Sequence, residues 1–273
     1  MDANTSTALP ATLDPTLPTS DGLVDRVFRT RRIRLEDTLM YAGLRTGQWM
    51  RNNSGQVSPG AIGVLMDIAL GGAAMQYRPA STWAVTTNLS VHFVKPLPAD
   101  GSEILATGRY LVADASGCMA EGEAVDSEGQ VVAKGSTWLQ YVASEPDIER
   151  YADSVNHDAS LPASITEALD LEAGDEQGEY TFTVGQNQLN VNSSLHGGVS
   201  LALAEAAGTT YVNDSAFMLA TMNLTYLRPG HGQMTLRVHP VHRGRSLQIL
   251  DVSLIDAHGK TCVVANLHYR RAS

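Results

Sequence analysis

Asn52-Asn-Ser-Gly-Gln-Val-Ser58-Pro59-Gly60-Ala-Ile-Gly-Val-Leu-Met-Asp67 returns later in the chain as Asn190-Val-Asn-Ser-Ser-Leu-His196-Gly197-Gly198-Val-Ser-Leu-Ala-Leu-Ala-Glu205. In both stretches an Asn stands six positions before the Ser or His, and an acid stands nine positions after it. A second echo follows each. Asn88-Leu-Ser-Val-His-Phe93-Val-Lys-Pro96 matches Thr221-Met-Asn-Leu-Thr-Tyr226-Leu-Arg-Pro229. An internal repeat governs every other fold argument. Here it predicts two like domains packed on each other as a built-in dimer.

Working outward, each repeat is long enough to enclose its own core within the 273 residues. The expected organisation is a disordered tail over 1–22, an N-terminal domain over 23–143, a linker over 144–178 and a C-terminal domain over 179–273. The tail is rich in Thr, Ala, Pro, Ser and Asp. It lacks the basic start and apolar centre of a signal peptide, and nothing later is long and apolar enough to span a bilayer. The net charge of -10 argues against sequence-independent nucleic-acid binding, which needs basic surface, and leaves room for an anionic ligand held by a local Arg/Lys cluster. Cys118 and Cys262, one per repeat, sit in apolar strand-like runs. They read as small core residues of a cytoplasmic protein and offer neither a disulfide framework nor metal-ligand spacing.

Residues 60–76 are apolar nearly all round and free of Pro, which predicts a buried helix despite four glycines. Alternating, β-branched stretches predict strands over 83–94, 103–112, 118–125 and 131–142, with an earlier strand within 24–37. The second copy predicts a strand over 180–184, a helix over 198–212 and strands near 216–227, 234–242, 246–255 and 261–270. One long helix followed by four antiparallel strands is an α+β unit whose sheet wraps its helix. Two such units can pair their edge strands and so remove two open edges.

That order of elements resembles the hotdog-fold acyl-CoA thioesterases, PaaI-like branch, here as a tandem or double hotdog. His196-Gly197-Gly198 stands at the helix start, Glu205 two turns in, and Tyr226-Leu-Arg-Pro229 on the next long strand. The resemblance covers nearly everything from about residue 24 onward, apart from the linker. It implies that each active site lies between two units. One unit supplies the Asn and the backbone N–H of the first Gly, which polarise the thioester carbonyl. The other supplies the acid on its helix and a Ser or Thr seven positions before the motif aromatic.

Sorted this way, the second repeat keeps Asn190, His196 and Gly197, whereas the first has Ser58 for the His and Pro59 for the Gly. Proline has no N–H to give. On the acid side the pattern inverts: the first repeat has Asp67 and Thr86, whereas the second has Glu205 with Leu219 in place of the hydroxyl residue. Thr209 is a substitute for that hydroxyl one turn after Glu205. The expectation is therefore one whole site, built from Asn190, His196, Gly197, Asp67 and Thr86, and one damaged site around Asn52, Pro59 and Glu205. Asp67 would activate water as a general base or attack directly, and His196 would support the loop.

Each residue also has a bland reading: an Asn before a helix is commonly a turn residue, and Thr86 is a good strand former. A carboxylate inside Val-Leu-Met-Asp-Ile-Ala-Leu is harder to dismiss, because burying it is costly. For the CoA moiety the resemblance points to basic residues near the site mouth, of which Lys95, Arg228, Arg243 and Arg245 are the candidates. No separate cofactor is expected, since CoA belongs to the substrate. A homodimer of tandem chains would mimic the tetramers of the family. The competing readings are a non-catalytic acyl-CoA or acyl-carrier binding protein on the same fold, and a hotdog dehydratase or hydratase.

Overall fold

The computed structural model describes residues 22–36, 38–143, 146 and 160–272. The expected tail and the first part of the expected linker lie almost wholly outside the described residues. The first half contains α1 (Leu23–Val27), β1 (Thr30–Glu36), β2 (Leu39–Arg45), α2 (Gly63–Met75), β3 (Trp83–Phe93), β4 (Glu103–Ala113), β5 (Gly117–Val125) and β6 (Val131–Val142). After it come α3 (Ile165–Leu169) and β7 (Glu172–Ala173), then β8 (Glu179–Thr183), α4 (Gly197–Val212), β9 (Phe217–Tyr226), β10 (Gln233–Arg243), β11 (Leu247–Asp256) and β12 (Thr261–Arg271).

The twelve strands among the described residues form one antiparallel sheet in the order β1-β2-β4-β5-β6-β3-β9-β12-β11-β10-β8-β7. Its centre is the junction of the two halves. There the two echoed motifs pair with each other, Asn88 opposite Thr225, Ser90 opposite Asn223 and His92 opposite Thr221. The register is symmetric about Ser90 and Asn223, which fits a two-fold relation between the repeats. The pairing turns two open edges into an inner pair of strands.

The helices lie where the sequence places hydrophobic surface on all sides. Val64, Leu65, Met66, Leu70, Ala73 and Ala74 of α2 are fully buried, as are Val199, Leu201, Ala202, Leu203 and Ala204 of α4. Glycines let these layers approach. Gly108, Gly122 and Gly135 stand opposite one another on β4, β5 and β6. A Cβ on Gly108 would lie 2.0 Å from Ala69 O, so α2 rests on bare backbone. The starts of the two helices also touch backbone to backbone, since a Cβ on Gly198 would lie 2.4 Å from Gly63 O. This crossing brings Asp67 of α2 to the first turn of α4 and Glu205 of α4 to Gly60 in the turn before α2.

The strand expected within 24–37 is β1, and the short helix α1 precedes it, where the Asp25 carboxylate takes the Gly22 N–H (3.0 Å) and the Thr30 hydroxyl (3.2 Å), closing a local turn. Two local readings need correction. The sequence reading has no strand over 39–45, yet β2 joins β1 to β4. The first long helix begins as a 3-10 turn over Pro59–Ile62 before α2 proper. Within the expected linker, α3 is capped by Ser164 Oγ, which accepts from Glu167 N–H at 3.2 Å, and it buries Ile165, Ala168 and Leu169.

Candidate active site

The loop 190–195 prepares the start of α4. Asn190 Oδ1 accepts from the N–H groups of Asn192 (2.9 Å) and Ser194 (3.2 Å) and from the Ser194 hydroxyl (3.2 Å). Three donors fix that atom as the amide oxygen and leave the Nδ2 donors for other partners. His196 is the N-cap of α4, its Nδ1 lying 3.1 Å from the Gly198 N–H. Gly197 is the first helical residue, so its N–H has no intrahelical acceptor and lies at the positive end of the helix dipole. The Tyr226 hydroxyl donates to Gly197 O at 2.8 Å and fixes, from the sheet side, the Gly197–Gly198 peptide, the one after that carrying the Gly197 N–H. Burial, then the nearby Asp67 charge, holds the Tyr226 phenol well above its ordinary value, so it stays a donor.

Asp67 reaches this helix start from α2 of the other half. Its Oδ2 accepts from Gly198 N–H at 3.1 Å and lies 3.2 Å from His196 Nδ1, while Thr86 Oγ1 donates to Oδ1 at 3.4 Å. The Asp67 and His196 side chains are only 12% and 13% exposed. A Cβ on Gly197 would come within 2.8 Å of Asp67 Oδ2, so only glycine leaves room for the carboxylate there. Asp67, Thr86, Asn190, His196, Gly197 and Tyr226 all line one cavity of about 670 Å³.

The mirror-related place repeats the arrangement with other residues, and its carboxyl is buried. Asn52 Oδ1 accepts from Ser54 N–H (3.1 Å), the Ser54 hydroxyl (2.7 Å) and Gln56 N–H (3.1 Å), reproducing the Asn190 loop. Glu205 takes the position of Asp67: it accepts from the Ser58 hydroxyl, from Gly60 N–H (3.4 Å) and from the Thr209 hydroxyl (2.7 Å). Glu205 is 1% exposed and is not among the residues lining the cavity. Burial raises its carboxyl above the ordinary glutamate value, against the lowering effect of those three bonds. Pro59, at the start of the 3-10 turn, stands where Gly197 stands in the other copy.

The structure thus brings together Asp67, Thr86, Asn190, His196 and Gly197 and sets Glu205 apart. Of the basic candidates, only Arg228 lines the cavity. Lys95 is held by Asp126 and Gln130. Arg243 lies over the Tyr211 ring near the far end of α4, and Arg245 follows it on the same turn, so neither is part of the cavity wall. The Tyr226 hydroxyl was missed as a site element. Its signal in the sequence is that the copy keeping Gly197 has Tyr where the copy with Pro59 has Phe93.

Two family models match. The one for the acyl-CoA thioesterase N-terminal domain matches residues 187–269, and the one for the acyl-CoA thioesterase C-terminal domain matches residues 7–136. Their order along this chain is therefore the reverse of their names. An esterase-family protein of Pasteurella multocida (strain Pm70) is 33% identical over 95 residues, covering 33% of this chain and 68% of that protein. The chain belongs to the acyl-CoA thioesterase family. Solved thioesterase structures share its fold at low identity. The tesB protein of Mycobacterium avium subsp. paratuberculosis superimposes with a TM-score of 0.62 at 8% identity, covering 92% of this chain and 98% of that one. The 12:0-ACP thioesterase of Umbellularia californica gives 0.61 at 13% identity, covering 87% and 96%. Within this thioesterase, no helix among the described residues is long and apolar enough to cross a membrane.

Proposed function

We propose that the chain is a double hotdog of the PaaI-like kind, with units over 23–143 and 179–273, that hydrolyses acyl-CoA thioesters at one site between its repeats. The observation that carries this reading is the convergence of Asp67 on the N-terminus of α4, in a cavity, while Glu205 is sealed beside Pro59. In this reading the substrate carbonyl oxygen accepts from Gly197 N–H and from Asn190 Nδ2. A water held by Thr86 and Asp67 Oδ1 gives a proton to Asp67 as its oxygen attacks the carbonyl carbon. The resulting oxyanion rests on the Gly197 and Asn190 donors. When it collapses, the C–S bond breaks and the proton on Asp67 passes to the leaving CoA thiolate, yielding acid and thiol. Oxyanion donors of this type are typically worth about 2.7–4 kcal/mol of barrier each. His196 acts as the cap that sets the Gly197–Gly198 turn, and Asp67 acts as base rather than nucleophile, since Oδ2 is already engaged and Oδ1 faces the hydroxyl that can seat water.

Arg228 at the cavity wall is the contact for the CoA moiety, and the working form is a cytoplasmic homodimer of tandem chains. The test is thiol release by the purified chain from short, long and aryl acyl-CoAs. Turnover with free acid as product supports the reading. Folded protein that binds acyl-CoA by calorimetry and releases no thiol overturns it in favour of a binding protein.

A further inference from the structure

The cavity has two unlike wings. Asn192, Arg228 and His231 give a polar wall on the side of the second repeat. Ile68, Gly71, Gly72 and Met75 continue the lining along α2 from Asp67 toward Gln76, and Leu35 and Met40 of β1 and β2 also line it. At 1.5 Å per residue, α2 advances about 14 Å from Asp67 to Gln76, room for an acyl chain.

Two polar groups interrupt this apolar wing. Arg32 Nε and Gln76 Nε2 are buried and have no hydrogen-bond partner among the described residues, and both residues line the cavity. Arg32 sits at the bulge where the β1–β2 register shifts, a device that re-aims a side chain. Among the described residues it has no carboxylate within ion-pair distance; Asp25, whose charge it feels, spends its oxygens on Gly22 N–H and the Thr30 hydroxyl. Arg78 on the same wall differs: it donates to Thr82 O (2.9 Å) and Met75 O (3.3 Å) and lies over the Trp83 ring. A buried donor left without an acceptor is costly, and more so when charged. Both residues line the cavity, and a turn of each side chain toward it would let an acceptor brought by the occupant relieve that cost.

We propose that Arg32 and Gln76 recognise an oxygen-bearing end of the acyl group, so that the substrate is a thioester whose acyl chain carries a second carboxylate rather than a plain alkyl terminus. This rests on the hydrolase reading above. The guanidinium supplies charge-assisted donors matched to a carboxylate, and the Gln76 amide adds a neutral one.

The experiment measures kcat/KM for suberyl-CoA against octanoyl-CoA, and adipyl-CoA against hexanoyl-CoA, with wild type, Arg32→Met and Gln76→Leu, each checked for folding by its melting curve. Wild type should favour the carboxylated thioester of each pair by roughly tenfold or more. Arg32→Met should lose that preference while cleaving octanoyl-CoA at the wild-type rate or faster. Gln76→Leu should lose part of it. A wild type that prefers the alkyl thioesters, or an Arg32→Met that slows both members of a pair equally, overturns the inference and leaves the hydrolase reading standing. Absence of cleavage of all four sinks the hydrolase reading instead. The inference is then judged on calorimetric Kd values, where equal binding of suberyl-CoA and octanoyl-CoA overturns it and tighter binding of suberyl-CoA upholds it.

Discussion

Gly198 donates its N–H to Asp67 Oδ2 at 3.1 Å across 131 positions of sequence. The same bond recurs, longer, between Gly60 and Glu205 at 3.4 Å. One geometric device thus occurs twice, and the residues around it decide what each copy can do. Beside Asp67 stand a glycine amide, a histidine cap and a cavity. Beside Glu205 stand a proline and two hydroxyl groups that satisfy the carboxyl.

The N–H of Gly197 is the donor that Pro59 lacks. Gly197→Pro should keep the helix start, since Pro is tolerated at the first helical position. It should also remove the donor and press a Cβ against Asp67. We expect kcat to fall by about 10²–10³, read by steady-state thiol release, with Pro59→Gly unchanged as the control.

Tyr226→Phe copies Phe93 into the working site. It removes one hydrogen bond to Gly197 O, and the expected stability loss is about 0.5–1.5 kcal/mol, measured by urea denaturation. Loss of the tether should lower kcat more than it raises KM, because the Gly197–Gly198 peptide next to the oxyanion amide is freed while the acyl cavity is kept.

Glu205 gives a pH signature. Burial places its folded-state carboxyl above the ordinary value of 4.5. As pH rises past that value the unfolded chain ionises first and holds fewer protons, so stability falls until the folded carboxyl itself ionises. Glu205→Gln should remove this decline. The difference in Tm between variant and wild type should therefore shift in favour of the variant as pH rises above about 4.5, and a difference flat in pH would contradict the assignment.

Gly71 lines the cavity, and a Cβ there would meet nothing within 4 Å. Gly71→Leu should therefore fill acyl space without backbone strain and add up to about 1 kcal/mol of helix stability. Long acyl-CoAs should lose roughly tenfold or more in kcat/KM while short ones keep theirs, as measured across a chain-length series.

Much of this was legible in the residues. The complementary losses in the two copies, such as the missing N–H of Pro59, are visible without coordinates because they are covalent facts. Which side chains meet across the repeats comes only from the resemblance, since spacing does not say which helix faces which; in the structure Asp67, Thr86, Asn190, His196 and Gly197 lie together. What escaped depends on position in space. Lys95 and Arg243 look like candidate phosphate ligands in sequence, yet Asp126 and Tyr211 claim them. Arg32 looks like one of several surface arginines; Arg34 flanks the same bulge with an equally buried Nε, but it pairs with Glu36 and lies over Tyr41, whereas Arg32 lines the cavity. The strand over 39–45 was missed because its burial is nearly continuous, Met40 through Leu44, so it lacks the alternation that betrays a strand.

The most direct measurement is thiol release by Asp67→Asn and Glu205→Gln beside wild type, each confirmed folded. The account predicts that Asp67→Asn loses activity by several orders of magnitude and that Glu205→Gln keeps it. Activity lost with Glu205→Gln and kept with Asp67→Asn would contradict the account and place the chemistry in the other copy.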